Sequence, residues 1–233
     1  MPAPSRPSVL LFDIDGTLVT IGGAGRRAME RAFEAICGSK EACPTFSFGG
    51  RTDKGIVGDG LSQAGIHPSD EALEKFFELY HRFLREEIPL STTRKALPGC
   101  QDLLKAVSEY KDTALGLGTG NTREGAYIKL GAVGLDSYFS FGGFGCDHAD
   151  RREIIKLGIS RGAQRLGLPP TQVRAVVIGD TPRDISAARE AGAESIAVAT
   201  GEYSLAQLVD HSPTELFPDL EHPEIIRALF GQT

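Results

Sequence analysis

Val9-Leu10-Leu11-Phe12-Asp13-Ile14-Asp15-Gly16-Thr17-Leu18 decides how the rest of the chain is read. Four consecutive apolar residues with no polar face predict a strand buried on both sides, of the kind found in parallel sheets. The run then stops on two carboxylates and a glycine. In an extended segment alternate residues point the same way, so Asp13 and Asp15 face the mouth at the strand's carboxyl end, where open α/β sheets bind ligands. Gly16 permits a sharp turn and leaves nearby backbone amides free to hold an anion. Two carboxylates together repel each other unless one is protonated or a cation lies between them. A magnesium ion, which favours oxygen ligands, meets that need. A plain acidic turn is the alternative, but buried strands seldom end in two carboxylates without a use.

Working outward, further apolar runs occur at Thr113–Leu117, Ala175–Ile178 and Ser195–Val198. Helical patterns at Thr122–Val133, Arg152–Leu166 and Pro182–Ala191 separate them. This alternation predicts an α/β fold with a doubly wound, mainly parallel sheet. The gap after the first strand has another texture. Arg26–Cys37, a glycine-loosened Asp53–Ala64 and Ser69–Glu87 all read as helices, and the last carries an apolar stripe of Leu73, Phe76, Phe77, Tyr80, Phe83 and Leu84. The expected organisation is a catalytic core of residues 1–21 and 90–233, with a helical bundle of residues 22–89 inserted after the first strand. Gly22-Gly23-Ala24-Gly25 is the outgoing linker and Pro89–Pro98 the return, a pair suited to a hinge. Met1–Ser8 reads as a frayed tail.

Two more stretches bear chemistry. Val176-Val177-Ile178-Gly179-Asp180-Thr181-Pro182-Arg183-Asp184 is a second apolar strand ending in a carboxylate, with Pro at a helix start. Parallel strand ends gather on one edge, so Asp180 is placed to approach Asp13 and complete a metal's carboxylate shell. Asp184, one helical turn on, either orients the metal site or serves the helix dipole. Leu115-Gly116-Leu117-Gly118-Thr119-Gly120-Asn121-Thr122 puts a hydroxyl and open amides at a strand-to-helix turn, a cradle for phosphate, with Thr122 a natural helix cap.

Composition narrows the partners. With 233 residues, 41% hydrophobic, the chain can bury a sizeable core. A net charge of −6 without a basic patch argues against nucleic acid, so an anion site must be built locally. No apolar run suits a signal peptide or membrane span, which points to the cytoplasm and away from a membrane partner. Cys37, Cys43, Cys100 and Cys146 form neither a paired motif nor a metal cluster. A monomer or homodimer is expected.

Together, Asp13-Ile14-Asp15-Gly16-Thr17 and Gly179-Asp180-Thr181-Pro182-Arg183-Asp184, in this order around a helical insertion, resemble the first and last motifs of the haloacid dehalogenase superfamily. The phosphoglycolate-phosphatase-like hydrolases are the nearest subgroup, and the similarity covers nearly the whole chain. The resemblance implies a Mg²⁺-dependent phosphatase that hydrolyses a small phosphorylated metabolite through an aspartyl phosphate. It makes Asp13 the nucleophile and Asp15 the general acid and base. Asp13, the backbone carbonyl of Asp15, and Asp180 would hold Mg²⁺, and Thr119 a phosphate oxygen, with Gly16, Gly120 and Asn121 binding the substrate.

The chain departs from the family pattern twice. Gly120 intervenes before Asn121, and the third motif's Lys is missing from Gly145-Cys146-Asp147-His148-Ala149-Asp150-Arg151-Arg152. An arginine must then take its place, Arg151 ahead of Arg152, while His148 reads as a loop residue. In the insertion, Phe48-Gly49-Gly50-Arg51-Thr52-Asp53 resembles the substrate-recognition loop of helical caps, so Arg51 is expected either to reach an anionic substrate or to sit exposed beside a helix start. A phosphomutase of the same fold is the alternative, although the cap-hinge His of the sugar mutases is absent between Thr17 and Arg31. A phosphate-binding or signalling module without turnover is the other, but a receiver domain would carry no helical insertion.

Overall fold

A computed structural model of the protein describes residues 6–230. Its centre is a six-stranded sheet built on β1 (Ser8–Phe12), with β4 (Thr113–Gly118), β5 (Gly142–Gly143), β6 (Arg174–Gly179), β7 (Glu194–Val198) and β8 (Glu215–Phe217). The strand order is β5-β4-β1-β6-β7-β8 and every pairing is parallel. The α/β expectation therefore holds, with no antiparallel member in this sheet among the described residues.

The unbroken apolar reading of β1 has a direct cause. Leu10 and Phe12 face one layer, with Leu103, Leu104, Val176 and Ile178. Val9 and Leu11 face the other, with Ile155, Ile159, Val177 and Ala188. Both faces are covered, so neither needs polar residues. Helices α6 (Arg151–Arg165) and α7 (Pro182–Glu190) supply the second layer. On the first layer lie α4 (Cys100–Ser108), α5 (Arg123–Gly131) and α9 (Ile225–Phe230). The short α8 (Leu205–Val209) packs through Leu208 with Ile185 of α7 and Ala197 of β7.

Register fixes where chemistry can happen. Phe12 pairs with Leu117 on one side and Ile178 on the other. The three central strands thus end level, and Asp13, Thr119 and Asp180 all emerge at one edge.

The stretch between β1 and β4 leaves and rejoins the sheet through two short strands, β2 (Val19–Thr20) and β3 (Lys95–Ala96), paired antiparallel. The polar return segment reads as linker in the sequence; its end is half of this ribbon, too short for a periodic signal. Between the two strands lie α1 (Ala24–Cys37), α2 (Asp53–Gln63) and α3 (Asp70–Leu90). Gly60 in α2 is a packing requirement, since a Cβ there would lie 2.3 Å from the Phe33 ring. Helix α3 outlasts its expected end and holds Pro89 in its final turn, where it removes one backbone donor just before the helix stops at Leu90. The expected tail also ends sooner. Ser8 is fully buried in β1, Arg6 donates to the Thr171 carbonyl, and Met1–Ser5 lie outside the described residues.

Candidate active site

Asp13 continues β1 for one more residue: its amide donates to the Ile178 carbonyl at 2.9 Å, and its side chain is buried. Burial pushes its carboxyl from the usual 3.8 up to about 6; Arg151 opposes this, while Asp184 and Asp15 reinforce it. Across the strand ends, carboxylate oxygens of Asp13, Asp180 and Asp184 lie within 4.8 Å of one another. The Thr17 hydroxyl donates to Asp180 at 3.0 Å. Burial and the neighbouring Asp184 and Asp13 hold the Asp180 carboxyl well above its usual range. Gly16 turns the chain at φ +81°, and a Cβ at that position would lie 2.4 Å from Asp180 Oδ2. Only glycine fits this turn.

Arg151, at the first position of α6, is the cation at this cluster. Its Nη2 lies 3.1 Å from Asp13 and 2.5 Å from Asp184. Arg152 points elsewhere, to Asp150 and Glu153 on the surface. Asp184 closes a capping box with Thr181 and pairs with Arg151 as well. His148 makes a local bond, accepting from the Asp150 amide.

Asp15 is held by two groups from the β4–α5 turn and helix. Asn121 Nδ2 donates to Asp15 Oδ2 at 2.9 Å and to the Thr119 hydroxyl at 2.9 Å. Thr119 is fully buried, and its hydroxyl also accepts from the Asn121 amide. Lys129 Nζ lies 2.6 Å from both Asp15 Oδ2 and Asn121 Oδ1. Sequence reasoning does not single out Lys129. The available signal is its place on α5: it follows buried Gly125 and Ala126 by one turn and precedes buried Leu130, so it lies on the apolar stripe. A lysine there needs a partner. Burial pulls its ammonium pKa down, but Asp15 and Asp53 together raise it further.

A cavity of about 470 Å³ opens over these groups. Its floor includes Asp13, Asp15, Gly16, Gly120, Asn121, Lys129, Arg151 and Asp180, and its roof Met29, Phe48, Arg51, Asp53, Ile56 and Tyr80 from the helical stretch. Roof and floor are tied together. The Asp53 amide donates to the Gly120 carbonyl, and the Thr122 amide to Asp53 Oδ2, both at 2.8 Å. Arg151 Nη1 reaches the Gly50 carbonyl at 3.4 Å, and Arg183 the Gly49 carbonyl at 2.9 Å. A Cβ on Gly120 would lie 2.0 Å from the Arg51 carbonyl, so this glycine lets the roof loop touch the floor. The Arg51 side chain lines the cavity while its guanidinium stacks on Phe46 and sits 3.4 Å from Asp59.

The model of the haloacid dehalogenase-like hydrolases matches residues 7–192. A validoxylamine A 7'-phosphate phosphatase from Streptomyces hygroscopicus subsp. limoneus is 28% identical over 195 residues, 82% of this chain and 85% of its own length. A phosphoglycolate phosphatase from Synechococcus elongatus is 28% identical over 209 residues, 88% of this chain and 89% of its own. In structure, the chain resembles a predicted phosphoglycolate phosphatase from Haemophilus somnus 129PT at TM-score 0.66 and 20% identity, over 96% of this chain and 97% of that one.

Proposed function

The chain belongs to the haloacid dehalogenase-like hydrolases, and from that premise we propose that it is a phosphatase which passes the phosphoryl group of a small phosphomonoester to Asp13 and then to water. Two relatives that share most of its length are named as phosphatases, which supports that activity. The observation that carries the reading is the setting of Asp13: buried at the end of the central strand, with Arg151 at 3.1 Å and the carboxylates of Asp180 and Asp184 within 4.8 Å.

The donor set fits Mg²⁺, which takes hard oxygen ligands. Asp13, Asp180 and the Asp15 carbonyl would hold it, and the raised pKa values of Asp13 and Asp180 mark a cluster that a cation would relieve. Bound there, the ion would neutralise charge on the non-bridging phosphoryl oxygens.

The protein's own groups do the rest. An Asp13 oxygen attacks phosphorus in line, the bond to the leaving oxygen breaks, and Asp15 gives that oxygen its proton so that an alcohol departs. Asp15 then takes a proton from the water that attacks the aspartyl phosphate, and free phosphate leaves with Asp13 restored. Arg151 neutralises phosphate and nucleophile together, and its buried Nε, which has no hydrogen-bond partner among the described residues, is left for a phosphate oxygen. The Gly16 and Gly120 turns and Thr119 complete the cradle. Residues 22–89 act as a cap that excludes water, and Arg51 meets the substrate by leaving Asp59. Free thiols at all four cysteines suit a reducing compartment such as the cytoplasm.

A phosphate-release screen over small phosphomonoesters tests this. Turnover of at least one ester, together with 4-nitrophenyl phosphate, is expected with Mg²⁺ and absent in excess chelator. Full activity in chelator would remove the metal from the mechanism, and isomerised sugar phosphate without free phosphate would replace hydrolysis by a mutase reaction.

A further inference from the structure

A protonated lysine buried in an active site costs free energy unless its surroundings use the charge. Lys129 is 5% exposed, and Asp15, Asp53 and Asp13 are the acids acting on it. Its ammonium meets the same oxygen of Asp15 that Asn121 Nδ2 meets, and it also binds Asn121 Oδ1, so lysine, amide and carboxylate close a three-membered ring of contacts. Neither bond uses Asp15 Oδ1. Without them the Asp15 side chain, 44% exposed at the cavity, would be free to change rotamer. With them, Oδ2 is fixed and the Asp15 carboxyl is held in place at the cavity that it lines.

We propose that Lys129 is a positioning residue: with Asn121 it clamps Asp15 Oδ2 so that Oδ1 delivers the proton to the leaving oxygen. This rests on the assignment of Asp15 as acid and base in the proposed function. Lys129 contacts Asp15 and Arg151 contacts Asp13, so the two cations divide the labour. Arg151 serves the nucleophile and Lys129 the acid. The proton itself travels from Asp15 to the leaving oxygen, and Lys129 keeps all of its own.

The consequence is a dependence on the leaving group. A good leaving group such as 4-nitrophenolate departs with little help, whereas phenolate needs the proton more. kcat/KM should be measured for a series of aryl phosphates from 4-nitrophenyl to phenyl, in wild type, Lys129→Met, Lys129→Arg, Asp15→Asn and the K129M/D15N double variant. In K129M, phenyl phosphate should lose at least tenfold more than 4-nitrophenyl phosphate. K129R should recover much of the difference, and the double variant should fall no further than D15N alone. A uniform loss across the series, or losses that multiply in the double variant, would overturn the proposal and leave Lys129 a structural counter-charge. Lys129→Gln supplies the same comparison should K129M fail to fold, as judged by circular dichroism. A wild type that hydrolyses none of the esters and shows no phosphorylated Asp13 on acid quench would instead sink the proposed function, and this inference with it. A wild type that passes both tests beside an unaltered K129M series would sink this inference alone.

Discussion

Arg151 Nη2 lies 3.1 Å from Asp13 Oδ2, and both side chains are buried. The same nitrogen is 2.5 Å from Asp184. Removing this guanidinium leaves two buried carboxylates and an incoming phosphate dianion undercompensated. Arg151→Ala should lower kcat/KM by about 2–5 kcal/mol of transition-state stabilisation, a loss of roughly thirtyfold or more. Arg152→Ala, whose partners are exposed Asp150 and surface Glu153, should change it by less than about threefold. Equal effects of the two substitutions would remove Arg151 from the chemistry.

Gly16 offers a separable test of backbone and site. At φ +81° an added Cβ is strained and would also strike the Asp180 carboxylate at 2.4 Å. Gly192 has φ +74° with nothing within 4 Å. Alanine at either position should cost on the order of 1–2 kcal/mol of stability from strain alone. Gly16→Ala should also raise the Mg²⁺ concentration needed for half-maximal activity and cut turnover at least tenfold, while Gly192→Ala should leave both unchanged. Matching kinetics in the two variants would mean that Gly16 serves the turn and not the site.

Asp53 carries a pH prediction. It is buried between roof and floor, and burial holds its carboxyl at about 6 rather than 3.8, against the pull of Lys129 and the Thr122 amide. The folded state therefore keeps a proton that the unfolded state has lost across this window, so stability falls as pH rises from 3.8 to about 6 and the full penalty persists above it. The penalty is about 3 kcal/mol at most. Asp53→Asn retains an acceptor for the Thr122 amide and never ionises. Its stability relative to wild type, from urea unfolding, should therefore improve by on the order of 2 kcal/mol between about pH 4 and about pH 7.5. A difference that stays flat with pH would show that Asp53 does not titrate as its burial implies.

Much of this fold is legible in the sequence because its central strands are covered on both faces and read as apolar runs. Those runs end in the residues that matter, Asp13 and Asp180, and parallel register brings such ends together. Elements of two or three residues escape the same reading. Gly142–Gly143 and Glu215–Phe217 join the sheet at its edges and are too short for any periodicity to betray them. Lys129 escapes for another reason. A single lysine in an amphipathic helix is ordinarily solvated, and only its register beside Ala126 and Leu130 marks it as inward-facing. The turn Thr119-Gly120-Asn121 reads as a phosphate cradle, and its side-chain contacts give it a second role, because the Asn121 amide group donates to both Asp15 and Thr119.

The nucleophile tests the whole reading. Phosphoryl transfer asks a protein chiefly for positioning and charge neutralisation, and a covalent route divides hydrolysis into two in-line displacements. Asp13 is the better placed of the pair. It is buried with Arg151 against it, whereas Asp15 is half-exposed and its Oδ2 is engaged by Lys129 and Asn121. Asp13→Asn should abolish turnover, by about a thousandfold or more, while leaving the fold intact because Asn is nearly isosteric. Asp15→Asn should slow both half-reactions, and phosphorylated protein should accumulate if dephosphorylation suffers more. Rapid acid quench with intact-mass measurement and peptide mapping identifies the residue that carries phosphate. Water enriched in heavy oxygen gives an independent check: the released phosphate takes its oxygen from the Asp13 side chain, so a single turnover on the covalent route leaves the label in that carboxylate. Label found only in phosphate after that first turnover would mean direct attack by water, and Asp13 would then serve the metal alone.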